Sequence, residues 1–222
     1  MNMGGLLLMA LLALPLQGQE DPVPYSALTG AEQELFLKEM GAALKKVQSL
    51  RADFVQERHV SLFLDPLESR GICSFERPDR LRWEVVKPYA SLLILNGRGV
   101  AKFDRVEGEL RKMKLGGEDL LREVLGQITD WIQGDFSRAD EMYALTLEKG
   151  ADFRLRMQPR SEKLSKMIRA VELFVDPETH RVTKVVIREP GEDYLEIRFE
   201  QEQLNIKFDP STFSLDQSDH TR

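Results

Sequence analysis

"FERPDRLRWEVVKP", residues 75–88, decides how the rest of the chain is read. Between Pro78 and Pro88, the apolar residues Leu81, Trp83 and Val85 alternate with Arg80, Arg82 and Glu84. That period of two belongs to a strand with one dry face and one wet face. Arg77 and Lys87 add to the cations, so the stretch alone could also suit phosphate or nucleic acid. The whole chain argues against that. It carries 31 Lys and Arg against 37 Asp and Glu, a net charge of -6 and a pI near 5.3. Nucleic-acid binding through the backbone needs a basic footprint. The cations are therefore read as the wet face, and the question becomes what the dry face covers.

Working outward, more strands appear on both sides. "YASLLILNGRGVAKFD" (89–104) predicts a hairpin turning at Asn96-Gly97, with "GELRKMKL" (108–115) as its next partner. Upstream, "LRADFVQERHVSLF" (50–63) alternates weakly and "GICSFE" (71–76) is a short strand. Five further strand-like segments run from Tyr143 to Phe208, with turns at Asp176-Pro177 and Pro190-Gly191. Two stretches have helical spacing instead. In residues 29–50, Leu35, Phe36, Met40, Ala43, Leu44 and Val47 share one side, with Thr29 as N-cap. In 116–136, Leu120, Leu121, Val124, Leu125, Ile128, Trp131 and Ile132 recur at helical intervals. The layout is helix, strands, one helical insertion, strands. It predicts a mainly β fold with some α: an open, strongly curved antiparallel β-barrel, or half-barrel, with helices covering its concave face. A concave sheet with few other elements to fill it commonly encloses an apolar cavity.

At the N-terminus, "GLLLMALLALPLQG" (5–18) is apolar and shorter than the ~20 residues of a membrane span. It reads as a secretory signal peptide over 1–19, although no Lys or Arg precedes it; an uncleaved anchor and a buried helix are the alternatives. Residues 20–30 read as a linker, 31–215 as one domain and 216–222 as a tail. The single cysteine, Cys73, cannot form an internal disulfide and reads as a small buried hydrophobe. Motifs for a serine nucleophile, a zinc protease or a phosphate loop are absent, and His59, His180 and His220 lack metal-ligand spacing. No catalytic residue, metal or cofactor is assigned, and no enzyme activity is expected. A hydrolase using carboxylates that meet only in space has no positive support from the sequence.

The order of several segments resembles the outer-membrane lipoprotein carrier protein family, LolA. The segments are "SLRADFVQE" (49–57), Gly71, "FERPDRLRWE" (75–84), "LLILNGRGVAKFD" (92–104), "LFVDPETHRVTKVVIRE" (173–189) and "FDPSTFSL" (208–215). Phe103 stands where the family usually has Tyr, and Leu81 where an aromatic is often found. The resemblance implies a periplasmic carrier with no covalent chemistry. Such a protein takes acylated lipoproteins from an inner-membrane ABC transporter and delivers them to an outer-membrane receptor. Arg77 matches an arginine that hydrogen-bonds lid backbone in the family, and Leu81 and Trp83 match positions facing its cavity. Together with Phe54, Leu93, Leu121, Leu125, Ile128 and Trp131, these two form the expected lipid-binding set. A monomer is expected, with acylated lipoproteins, the transporter and the receptor as partners and no nucleic acid. The same fold used as a shuttle or sensor for another lipid or glycolipid is the alternative.

Overall fold

The computed structural model describes residues 24–97, 99–115, 118–136 and 139–217. The expected signal segment lies outside them, as do residues 218–222 of the tail. Twelve strands form one antiparallel sheet. They are β1 (Ser26–Ala27), β2 (Ser49–His59), β3 (Leu67–Glu76), β4 (Arg80–Lys87), β5 (Ser91–Asn96), β6 (Gly99–Val106), β7 (Glu109–Met113), β8 (Tyr143–Lys149), β9 (Phe153–Pro159), β10 (Ala170–Val175), β11 (Val182–Arg188) and β12 (Tyr194–Leu204). The helices are α1 (Gly30–Leu44), α2 (Glu118–Ile132) and the short α3 (Ala139–Met142) and α4 (Glu162–Ser165). Sheet order is β1-β8-β9-β10-β11-β12-β2-β3-β4-β5-β6-β7, so β1 and β7 are free edges and the barrel stays open. Register shifts at Arg70/Gly71, Phe174/Val175 and Glu200/Gln203 are bulges, which bend and twist a sheet locally.

The opening stretch behaves as its alternation predicts. Leu81 pairs with Phe75 and Leu95, and Trp83 with Cys73 and Leu93, all on the concave face. The hairpin at Asn96 forms, with Asn96 opposite Gly99. From Ser26, the expected linker contributes β1, which pairs with Lys149 and Glu148 of β8. Before it, the Tyr25 ring lies under the Arg154 guanidinium at 4.1 Å.

Two helices divide the concave face. In α1, Thr29 and Glu32 form a reciprocal capping box that satisfies orphan backbone donors. Its buried stripe is Phe36, Met40 and Leu44, packed on Leu147, Leu155, Met157 and Leu173 of β8–β10. Leu35, expected on that stripe, points outward, and Leu37 packs in its place. A close approach selects the stripe: a Cβ on Gly41 would sit 3.1 Å from the Gly134 carbonyl oxygen, just beyond α2. The helix must present Gly41 there, and that rotates Leu35 out.

The convex face is also covered locally. After β12 the chain crosses β4–β6 and packs Phe208, Phe213 and Leu215 on Leu92, Ile94, Ala101 and Phe103. Asn96 Nδ2 donates to the Phe213 carbonyl at 2.7 Å. Arg82, read from sequence as an ordinary wet-face cation, is partly covered by this strap: it pairs with Glu84 at 2.8 Å and donates to the Thr212 carbonyl.

Candidate functional site

The site is the apolar concave face beneath α2. Phe54 of β2 stacks on Trp83 of β4 with ring centroids 4.2 Å apart, and Phe199 of β12 meets Trp83 edge-on at 6.2 Å. Gly71 makes the stack fit. A Cβ there would lie 2.0 Å from the Glu84 carbonyl oxygen and 2.4 Å from Phe54 Cζ. Helix α2 lowers Leu125, Ile128 and Ile132 onto this floor. Trp131 turns to the other half of the sheet, where it meets Tyr143 edge-on at 5.9 Å. On the same flank, the Tyr143 hydroxyl donates to Gln127 Oε1 at 2.9 Å. Helix α2 thus bridges the two halves of the concave face.

The expected lipid-binding residues fall into two depths. Phe54, Leu81 and Leu125 are fully packed, Leu81 being 2% exposed. Trp83, Leu93, Ile128 and Trp131 are only half-buried. The side chain of Leu121 lies outside the described residues. Depth follows position along the strands. Towards the β3–β4 turn the face is sealed by Phe75, Leu81 and Leu95. Towards the opposite rim it thins to Trp83, Val85, Leu93 and Leu195, all half-buried. Phe199 and Leu195 stand outside the expected set, as does Ile132, which has helical spacing in 116–136. Phe199 and Leu195 alternate with Glu196, Arg198 and Glu200 in β12 and could have been found by the rule applied to β4.

Arg77 sits in the β3–β4 turn, at the sealed end. Its Nε donates to the Val47 carbonyl at 2.6 Å and Nη2 to the Leu44 carbonyl at 3.1 Å, holding the C-terminal end of α1. Nη1 donates to Gln133 Oε1 at 2.8 Å and Nη2 to the Gln133 carbonyl at 3.2 Å, holding the end of α2. Gln133 Nε2 returns a bond to the Pro78 carbonyl at 2.7 Å. One guanidinium fork thereby serves carbonyls that helix ends leave without intrahelical donors. Gln133 was not singled out from the sequence; a lone glutamine after a helix carries no signal of its own.

Titratable groups inside the fold suit a dry interior. Burial pushes the Cys73 thiol up to about 12, so it is not a nucleophile in the folded protein. Burial also raises the Glu202 carboxyl, opposed by Arg181 at 3.2 Å. Among the described residues, no group of three or more His, Cys, Asp and Glu could hold a metal ion, and no helix is long and apolar enough to cross a membrane.

The sequence matches the family described as outer membrane lipoprotein carrier protein LolA over residues 45–216. An outer-membrane lipoprotein carrier protein of Dechloromonas aromatica (strain RCB) is 35% identical over 57 residues, 26% of this chain and 27% of that protein. The match thus spans about a quarter of the curated relative's length. An uncharacterized conserved protein from Thermus thermophilus shares the fold with a TM-score of 0.51 at 11% identity, over 82% of this chain and 92% of that one. A LolA superfamily protein from Nitrosomonas europaea superposes with a TM-score of 0.42 at 10% identity, over 82% of this chain and 96% of that one.

Proposed function

Because the chain belongs to the outer-membrane lipoprotein carrier protein LolA family, we propose that it is a periplasmic carrier. It binds lipoprotein acyl chains between the concave sheet and α2, and moves them from the inner to the outer membrane. An inner-membrane ABC transporter would supply the cargo and an outer-membrane receptor would receive it. The observation that carries this reading is the graded apolar floor under a helix whose far end is tied by Arg77.

The energetics fit reversible carriage. An acyl chain of roughly 15 methylenes gains on the order of 12 kcal/mol when fully removed from water. In the empty protein Leu125, Ile128 and Ile132 already cover the floor, worth roughly 2 kcal/mol each. Cargo must displace them and break the Arg77 bonds, so net affinity is the difference between two large burials. That difference is what allows release.

Native mass spectrometry of protein purified from the cell envelope tests the reading. A bound acylated polypeptide at equal stoichiometry is expected. A free lipid or glycolipid in its place would replace the cargo with another, and protein uniformly empty when purified with its transporter overproduced would remove the carrier role.

A further inference from the structure

The rim where the concave face thins carries a feature that cargo carriage does not require. The register places several loops on that one rim: Ala170 and Tyr194 flank Arg188, Tyr194 pairs with His59, and Arg70 pairs with Lys87. The loops are 60–66, 88–90, 160–169 and 189–193. Arg77 lies at the other end of the same strands.

At the tip of 60–66, Leu62 is 88% exposed and Leu64 103%, with Phe63 and Leu67 also exposed. Tyr89, in loop 88–90, is 85% exposed. Two leucines nearly as exposed as in an extended peptide, with a half-exposed Phe63 between them, are costly in water. The tip is nevertheless held in place: Ser61 N–H donates to Asp193 Oδ1 at 2.9 Å and Phe63 N–H to the Val60 carbonyl at 2.9 Å. Further along the rim, beyond loop 189–193, loop 160–169 presents Arg160, Lys163, Lys166 and Arg169 against Glu162 alone, which pairs with Lys166 at 3.0 Å, with Met167 exposed among them. Of the acidic groups in these loops, Glu189 pairs with Arg58 at 2.9 Å and Asp193 accepts from Ser61, while Asp65 at the tip and Glu192 are exposed.

We propose that this rim docks on an anionic lipid bilayer, with Leu62, Phe63, Leu64 and Tyr89 inserted at the headgroup level and the 160–169 cations over acidic headgroups. The tip protrudes, as insertion into lipid needs; a protein partner would rather receive such residues in a shaped pocket. The basic loop supplies the charge complement in a protein that is acidic overall. The half-buried floor residues Val85 and Leu195 continue inward from the same rim, so an acyl chain could pass between bilayer and concave face without crossing open water. Docking rests on exposure and charge alone, independent of which cargo the concave face takes.

Vesicle flotation with cargo-free protein tests it. Vesicles of phosphatidylethanolamine with phosphatidylglycerol should carry wild-type protein to the top of the gradient. The Leu62→Ser/Leu64→Ser variant should partition at least about tenfold less with an unchanged melting temperature, because neither side chain packs on the protein. Lys163→Gln/Lys166→Gln should lose binding to these vesicles about tenfold or more and be indifferent to phosphatidylcholine vesicles. Wild-type protein that stays at the bottom with both vesicle types overturns the proposal, as does equal flotation of wild type and the tip variant. Acyl-peptide binding by the tip variant in solution, without vesicles, should equal wild type. That outcome separates failure of docking from failure of the carrier reading.

Discussion

At the scale of single residues, Arg77 ties the lid and the depth of the floor separates core from binding surface. Arg77→Leu removes four bonds to the two helix ends while keeping an apolar stem. Hydrogen bonds from a charged donor are worth roughly 1.5–3 kcal/mol each in net terms. Even one of them is a large bias on a lid equilibrium. The variant should load cargo readily, release it poorly and admit a hydrophobic dye when empty. Cys73 offers a built-in readout, since it is buried in the floor cluster that Leu125 of α2 joins. Its alkylation near neutral pH should be faster in Arg77→Leu than in wild type; equal rates together with normal release would reduce Arg77 to a structural arginine. Depth makes a second distinction. Trp83 and Leu81 are two residues apart on the same face, yet Leu81 is sealed and Trp83 half-buried. Leu81→Glu should lower stability by about 4 kcal/mol through an unpaired buried charge. Trp83→Glu should fold and lose most acyl-peptide binding. Thermal melts alongside binding isotherms decide this, and comparable melting of the two variants would place Trp83 in the static core.

At the scale of elements, hairpins and helices were legible because their signals are local. Asn-Gly names the β5–β6 turn, and Thr29 names the start of α1. The strap over the convex face was not legible. Its anchors, Phe208, Phe213 and Leu215, alternate with nothing, and their partners lie more than a hundred residues away. Leu92, Ile94 and Phe103 hinted at it, since β5 and β6 are apolar on both faces and a two-sided strand must be covered twice. Phe213→Ala should cost about 3 kcal/mol of stability and leave cargo affinity unchanged, as the strap lies on the far side of the sheet from α2. Loss of affinity without loss of stability in a denaturant titration would mean that the strap communicates with the floor.

At the scale of the whole molecule, one sheet is used asymmetrically. Helix α1 seals one half against β8–β10, α2 covers the other, and the strap closes the outer side of that second half. Alternation in β4 pointed to a dry concave face, but not to its division into a static and a coverable half. That division depends on which strands neighbour which, and the β12–β2 pairing joins the two ends of the chain. The central claim is that acyl chains take the place of α2 on the second half. Photolysis of the protein with a lipopeptide bearing a diazirine in its acyl chain, followed by peptide mapping, tests this directly. Labels are predicted on Trp83, Leu93, Ile128 and Phe199. Labels confined to the strap and the convex strands, or to α1 and β8–β10, would contradict the account.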